Sequence, residues 1–262
     1  MRVKLTVAYL GAGFRGLAPN PGVRTVVGEL QTFVSRIVGH EPELVMSGRT
    51  DAGVHAWGQV LSTDLPDDTD LGKLQRSINS VFGPEIVVRE VAVTGSDFSA
   101  RHDATGRTYR YQIVNREVLD PFLAATSWWI PDELSLGAMQ HAAGHIVGEH
   151  DFSSFCRRPR SRLGLGVEEV EVSLVRRVRA ASWTVLDPGD VLRFEIEGSA
   201  FCHQMVRSIV GFLVAVGVGK REPDEMPAVL AARDRAAAEQ PAPPHGLTLW
   251  DVSYAVEVKP VS

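Results

Sequence analysis

Across the first hundred residues the spacing of apolar side chains switches between a period of two and a period near 3.6. That alternation constrains the fold more than any other feature of the chain. Arg2 to Leu10 sets Val3, Leu5, Val7 and Tyr9 against polar neighbours, the pattern of a strand with one buried face. Gly11 to Gly22 is Gly- and Pro-rich loop. From Thr25 to Val38, Val26, Val27, Leu30, Phe33, Val34, Ile37 and Val38 recur at helical spacing. Leu44 to Ser47 and Trp57 to Thr63 read as strands, Leu71, Leu74, Ile78 and Phe82 as a second helix, and Ile86 to Val93 as another strand. The resulting β-α-β-β-α-β order is the split pattern of a ferredoxin-like half.

The remainder repeats the theme loosely. Thr108 to Asn115 reads as a strand, Ser135 to Val147 as a helix and Val170 to Val178 as a strand. Trp183 to Leu186 and Val191 to Glu197 flank Asp187-Pro188-Gly189-Asp190, a hairpin turn. Phe201 to Val218 is a long apolar helix, Pro223 to Ala238 a shorter amphipathic one, and Gln240 to Pro244 a rigid linker before a strand from Leu247 to Val256. The expected fold is α/β (α+β): two similar ferredoxin-like halves, 1–105 and 106–262, forming a central mixed, mainly antiparallel sheet with flanking helices and a cleft that can receive a substrate.

No apolar run is long enough to span a bilayer; the longest, Ile209 to Val218, contains glycines and ends near Lys220. The N-terminal Met1-Arg2-Val3-Lys4-Leu5 begins with strand alternation and lacks the features of a signal peptide. The two cysteines, Cys156 and Cys202, are far apart and lack metal-ligand spacing, which suits a reducing cytosol and argues against a disulfide scaffold or a zinc site. A net charge of −5 speaks mildly against nucleic acid. Binding depends on local patches, however, and arginines cluster at Arg157, Arg158, Arg160 and Arg162, and again at Arg176, Arg177 and Arg179.

Four stretches carry chemistry. Gly48-Arg49-Thr50-Asp51-Ala52-Gly53-Val54-His55 places a cation, a hydroxyl, a carboxylate and an imidazole in one glycine-bounded segment between strands. It is either ordinary turn chemistry or a turn presenting an ionised carboxylate able to act as a nucleophile. Gly11-Ala12-Gly13-Phe14-Arg15-Gly16 matches the dinucleotide-binding fingerprint, but Pro19 and Pro21 forbid the helix that must follow and no acidic residue ends a second strand at the required distance. In Arg107-Thr108-Tyr109-Arg110-Tyr111, the two tyrosines and Arg107 share a strand face, which suits either core-edge packing or a platform for a nucleobase. Met205 to Gly211 places Arg207 inside an apolar helix, where the charge needs a partner; Asp51 is the carboxylate expected to supply it.

Taken in order, Gly48 to His55, Phe98-Ser99-Ala100-Arg101 with Arg107-x-Tyr109-x-Tyr111, Asp151 to Phe155, Met205 to Gly211 and Ala242 to Leu249 resemble the TruA-type tRNA pseudouridine synthases over nearly the whole chain. The resemblance implies isomerisation of uridine to pseudouridine in the anticodon arm of tRNA at positions 38 to 40, by a cytoplasmic homodimer with no cofactor, metal or membrane association. It implies that Asp51 is the nucleophile and Arg207 its salt-bridge partner, that Arg49 holds the flipped-out nucleotide, that Tyr109 stacks on the target uracil and that Leu247 closes the pocket. Phe98, Ser99, Ala100, Arg101 and His102, with Arg158, Arg160 and Arg162, are expected to meet RNA. The chain departs from the family pattern at Leu10, Leu17, Ala18, Val27 and Glu168-Glu169. These departures predict altered tRNA-receiving surfaces, and leave open an RNA-binding protein of the same fold with a changed target or lost turnover.

Overall fold

The computed structural model of the chain describes residues 1–157, 173–186 and 190–255. In chain order its elements are β1 (Arg2–Tyr9), α1 (Val26–Val38), β2 (Val45–Met46), β3 (His55–Asp64), α2 (Leu71–Phe82), β4 (Ile86–Val93), β5 (Ala104–Asn115), β6 (Trp128–Ile130), α3 (Leu136–Gly144), β7 (Gly148–Asp151), β8 (Val175–Leu186), β9 (Val191–Gly198), α4 (Met205–Gly217), α5 (Met226–Ala232) and β10 (Leu247–Tyr254). They form two units. Unit 1 comprises Met1–Arg110, Phe122–Ser127 and Pro244–Ser262; unit 2 comprises Tyr111–Pro121 and Trp128–Pro243.

In unit 1 the strand order is β4-β1-β3-β10-β5, with β1 antiparallel to both β3 and β4. Val3, Leu5 and Val7 face one way because side chains alternate along a strand. They meet Val26, Val27, Leu30 and Val34 of α1 and Leu74 and Ile78 of α2, in one apolar core that also takes in Val88 and Leu249. Burying each such side chain contributes about 1.5–3 kcal/mol. Thr25 caps α1 through Gly28 N–H (3.3 Å), and Asp70 caps α2 through Lys73 N–H (2.8 Å). Each such cap is worth about 1 kcal/mol. The left-handed backbone of Gly39 (φ 81°) ends α1.

In unit 2 the strand order runs β5-β9-β8-β7. The pairing is mixed and mainly antiparallel; β3 runs parallel to β10, and β5 parallel to β6. Unit 2 buries Phe194 and Ile196 of β9, Met139, Ala142 and Ala143 of α3, and all of α4 except Arg207. Among the described residues, no helix is long and apolar enough to cross a membrane.

Several elements differ from the sequence-based expectation for local reasons. Helix α4 begins at Met205 rather than Phe201, because Gln204 holds a left-handed φ of 64° that a helix cannot include. The segment from Pro223 breaks into a 3₁₀ turn, Pro223–Glu225, and the short α5, which ends where Arg233 turns left-handed (φ 50°). Val175 to Leu186 is one strand, paired with β9 from Val178 to Leu186 with a bulge between Val178 and Ala180, and with β7 over Val175 to Val178. The expected strand start at Val170 and the turn residues Asp187 to Gly189 lie outside the described residues. Strands β6 and β7, of three and four residues, are too short to leave a periodic signal.

Candidate active site

The Asp51 segment owes its existence to a change of partner along one strand. The C-terminal half of β3 pairs with β2 (Val45 with Ser62, Met46 with Leu61). Its N-terminal end pairs instead with β10, in parallel register (His55 with Thr248, Ala56 with Leu249). Between these pairings residues 47–54 leave the sheet. A turn closes from Val54 N–H to Asp51 C=O at 3.2 Å, with Gly53 at φ 80°, and leaves Asp51 half-buried.

Three segments clamp this turn. The first is the glycine-rich loop, whose Gly11–Gly13 stretch forms a 3₁₀ turn rather than an α-helix, as the prolines demand. A Cβ on Gly11 would lie 2.1 Å from the Val54 carbonyl oxygen, so that glycine lets the Asp51 turn press directly on the loop. Leu17 N–H donates to Thr50 C=O (3.3 Å), and Gly16, at φ 102°, leaves room for that carbonyl. The second clamp is His55, whose Nδ1 accepts from Gly11 N–H (3.0 Å). That bond assigns the proton to Nε2, which lies 3.0 Å from the His245 carbonyl and donates to it. Burial pushes the His55 imidazole below its ordinary pKa, so the ring is held neutral. The third is Pro244, packed against Gly53 so closely that a Cβ there would meet its Cγ at 3.0 Å.

Beneath the turn lies a buried polar layer. The Tyr9 hydroxyl bonds Thr50 Oγ1 at 2.7 Å. Burial pushes the Tyr9 hydroxyl up to about 12, while its bonds to Thr50 and Gln59 act in the opposite direction. Gln59 accepts from Ser47 Oγ (2.6 Å) and donates to Gly48 C=O (3.0 Å), which ties the start of the loop to β3. Tyr109 on β5 completes the layer. Burial raises its pKa most, the neighbouring Tyr9 adds to the rise, the Arg107 guanidinium opposes it and the Asp51 carboxylate raises it further. Tyr109 and Asp51 are therefore electrostatic neighbours. Arg107 donates to the Ser47 carbonyl at 2.8 Å.

In unit 2, Arg207 sits in the first turn of α4 and grips the strap at 240–243 twice. Its Nε donates to Ala242 C=O (2.7 Å), and its own carbonyl accepts from Ala242 N–H (2.9 Å). Tyr111 donates to the next carbonyl, Pro243, at 2.8 Å. Gly211 lets this strap lie flat on the helix, since a Cβ there would be 2.1 Å from Gln240 O.

The Asp51 carboxylate thus sits on a triply clamped turn over the buried Tyr9 and near the half-buried Tyr109. A tRNA pseudouridine synthase A from Brevibacillus brevis is 38% identical, over 97% of this chain and 99% of its own length. The chain belongs to the tRNA pseudouridine synthase A family. Its members named alike in Bacillus subtilis and Frankia casuarinae are 36% and 38% identical, each over 97% of this chain and over 99% and 89% of their own lengths. Residues 142–255 match the tRNA pseudouridine synthase family model. Among solved structures, a crystal structure of a Cbf5-Nop10-Gar1 complex is similar at a TM-score of 0.33 and 15% identity, over 81% of this chain; the chain spans 45% of that one.

Against this family background the other expected site residues fall as follows. Arg49 is exposed on the turn, and Leu247 is buried where β10 begins, one residue before the pairing with His55. In Phe98 to His102, the Ala100 main chain is tied inward, its N–H to Ser62 Oγ (3.0 Å) and its C=O to the Tyr254 hydroxyl (2.8 Å). Phe98 packs on Tyr254 with ring centroids 5.2 Å apart, so Arg101 and His102 are the exposed members. Arg158, Arg160 and Arg162 lie outside the described residues, as do Glu168 and Glu169.

Two expectations are corrected. Leu17 and Val27, where the chain departs from the family, are each 1% exposed in the unit 1 core, so those departures change packing rather than a tRNA-receiving surface. Cys156 and Cys202 are free but not apart: their thiols are within hydrogen-bond reach, which raises the Cys156 pKa and lowers that of Cys202.

Sequence reading missed the clamp and one surface feature. Trp57 and Trp250 stack at 5.8 Å, with the Arg89 guanidinium 3.9 Å over the first ring and that of Arg110 3.7 Å over the second. The four residues come from four different strands, so no local pattern announces them.

Proposed function

We propose that this chain converts uridine to pseudouridine in the anticodon arm of tRNA, at positions 38 to 40, with Asp51 as the nucleophile. The observation that carries the reading is the presentation of Asp51, a half-buried carboxylate on a turn fixed at Gly11, Gly53 and His55, in a chain of this family. The reaction breaks the bond from uracil N1 to the sugar, turns the ring over and rejoins it through C5. Every atom is retained, so the protein's task is to hold the pieces. An ionised carboxylate can attack without first losing a proton to a base.

In this reading Arg207 is the salt-bridge partner of Asp51. Arg49 holds the flipped-out nucleotide, Leu247 closes over it and Tyr109 stacks on the uracil. The high pKa of Tyr109 suits that role, since a protonated phenol adds no charge to the base-binding face. Phe98 to His102 and Arg158, Arg160 and Arg162 engage the RNA, as does the Arg89-Trp57-Trp250-Arg110 stack, exposed at Arg89 and Trp57, whose side chains suit nucleobases and phosphates alike. The enzyme works as a homodimer in the cytoplasm.

The deciding experiment is Asp51→Asn, which keeps the shape of the side chain and removes its charge. Pseudouridine formation in tRNA transcripts should fall by a factor on the order of 10³ or more while tRNA affinity changes only a few-fold. A normal rate would overturn the assignment. If the unaltered chain binds tRNA tightly and never isomerises it, the chain is an RNA-binding relative instead.

A further inference from the structure

On unit 2 a second cluster of chemically capable side chains has no part in the proposed reaction. His141 lies in the last turn of α3, and His145 follows one turn later as its C-terminal cap. Residues four apart on a helix share a face, so both imidazoles project the same way, with ring centroids 5.2 Å apart. The turn Pro223–Glu225 brings Asp224 up to them. Its Oδ1 lies 3.2 Å from the Nε2 atoms of both His141 and His145. The three ligand atoms lie within 4.8 Å of one another.

The two 3.2 Å separations from Asp224 Oδ1 are those of a coordination shell. Ligands about 2.0–2.1 Å from a tetrahedral zinc ion stand about 3.3 Å from each other. Two histidines at i and i+4 with one carboxylate also match the donor preference of Zn²⁺ and its neighbours in the transition series, rather than that of Mg²⁺ or Ca²⁺.

The supports on both sides are rigid. Pro223–Glu225 is locked by a reciprocal capping box between Glu222 and Glu225, and Arg221 holds Glu225 at 2.8 Å. Helix α3 is anchored where Ser135 N–H meets Gly217 C=O at 2.9 Å, with Met139 fully buried beneath. The negative end of the α3 dipole faces the cluster and favours a cation. Glu225 is engaged by Arg221, whereas Asp224 points to the two imidazoles.

We propose that His141, His145 and Asp224 form a surface site for a divalent transition cation of the zinc class. Three protein ligands leave a fourth position for water. The ion would clip the end of α3 to the turn that leads into α5, as a cross-link within unit 2. The site is independent of the proposed isomerisation and does not rest on it.

The test is calorimetric titration of ZnCl₂ into the untagged, chelator-treated full chain, beside His141→Ala, His145→Ala and Asp224→Asn. One equivalent should bind the unaltered chain, each single variant should bind at least about tenfold more weakly, and zinc should raise the melting temperature of the unaltered chain alone. Substitution of Co²⁺ tells nitrogen and oxygen ligands from thiolates by its absorption spectrum. No heat at 100 µM zinc would overturn the site. So would a thiolate–cobalt band that survives in a His141→Ala, His145→Ala double variant, which would place the ion on Cys156 and Cys202. Pseudouridine formation in each variant should match that of the unaltered chain.

Discussion

Replacing Gly11 by alanine probes the clamp with a single methyl group. Its Cβ would stand 2.1 Å from Val54 O, 2.5 Å from Val54 C and 2.9 Å from Gly53 C. All three are backbone atoms, so no rotamer change relieves the contact. The turn must retreat by about 1.3 Å, the gap between 2.1 Å and an ordinary 3.4 Å contact. Overpacking of this kind costs about 1–3 kcal/mol, and in a chain of this size each kcal/mol lowers the melting temperature by about 2–4 °C. A displacement near 1 Å at the reacting group costs about 10²-fold in rate. Gly13→Ala is the control, because its Cβ would meet only the far ends of flexible side chains, Glu85 Oε1 at 3.1 Å and Arg24 Nη1 at 3.5 Å. Urea unfolding and single-turnover pseudouridine formation on a tRNA transcript measure the two effects. Gly11→Ala with an unchanged midpoint and rate would refute the clamp, and equal losses in Gly11→Ala and Gly13→Ala would show that the loop serves some other purpose.

Gly211→Ala should act on unit 2 in the same manner, since its Cβ would lie 2.1 Å from Gln240 O. Lifting the strap off Arg207 should cost about 1–3 kcal/mol and lower kcat more than it raises KM for tRNA, and steady-state kinetics would show the split. His55 makes stability depend on pH. Its folded pKa is depressed below an unfolded value of about 6.5, so on acidification the unfolded chain takes up a proton first. Stability is therefore lost as pH falls below about 6.5, by at most about 1.4 kcal/mol per pH unit, until the folded pKa is reached. Denaturant melts of His55→Gln between pH 7 and 5 should show a shallower slope than the unaltered chain; identical slopes would exclude His55 as the source. Tyr109→Phe retains the ring and should keep kcat within about tenfold, whereas Tyr109→Leu should lose on the order of 10²-fold, as expected for stacking rather than proton transfer. Equal losses in the two variants would assign the function to the hydroxyl.

Much of this was legible from residue order alone. The strands and helices of unit 1 follow from periodicity, because each has one face in a single core. Asp51, Tyr109 and Arg207 stand out because charged or aromatic residues interrupt otherwise regular patterns. What could not be read is contact between residues remote in sequence. Gly11 looks like part of a nucleotide-binding signature until Val54 is seen pressing on it. His55 looks like a fourth chemical group, yet its two nitrogens are consumed as structural bonds. Asp224 shows no kinship with His141 and His145 across some eighty residues, and Cys156 shows none with Cys202. Backbone choices such as the left-handed Gln204 are likewise decided by packing rather than by local propensity.

The pairing of β3 with β10 also sets a schedule for biosynthesis. Protein chains begin to fold from the N-terminus while synthesis continues. Strand β3 and the Asp51 turn are made early, but Pro244, His245 and the strand that flank them follow only after every residue of unit 2. A growing chain thus carries the carboxylate long before it can hold it in place. Translation must run through both units before the turn is secured, so an interrupted product would bear the Asp51 carboxylate on a turn that nothing yet holds.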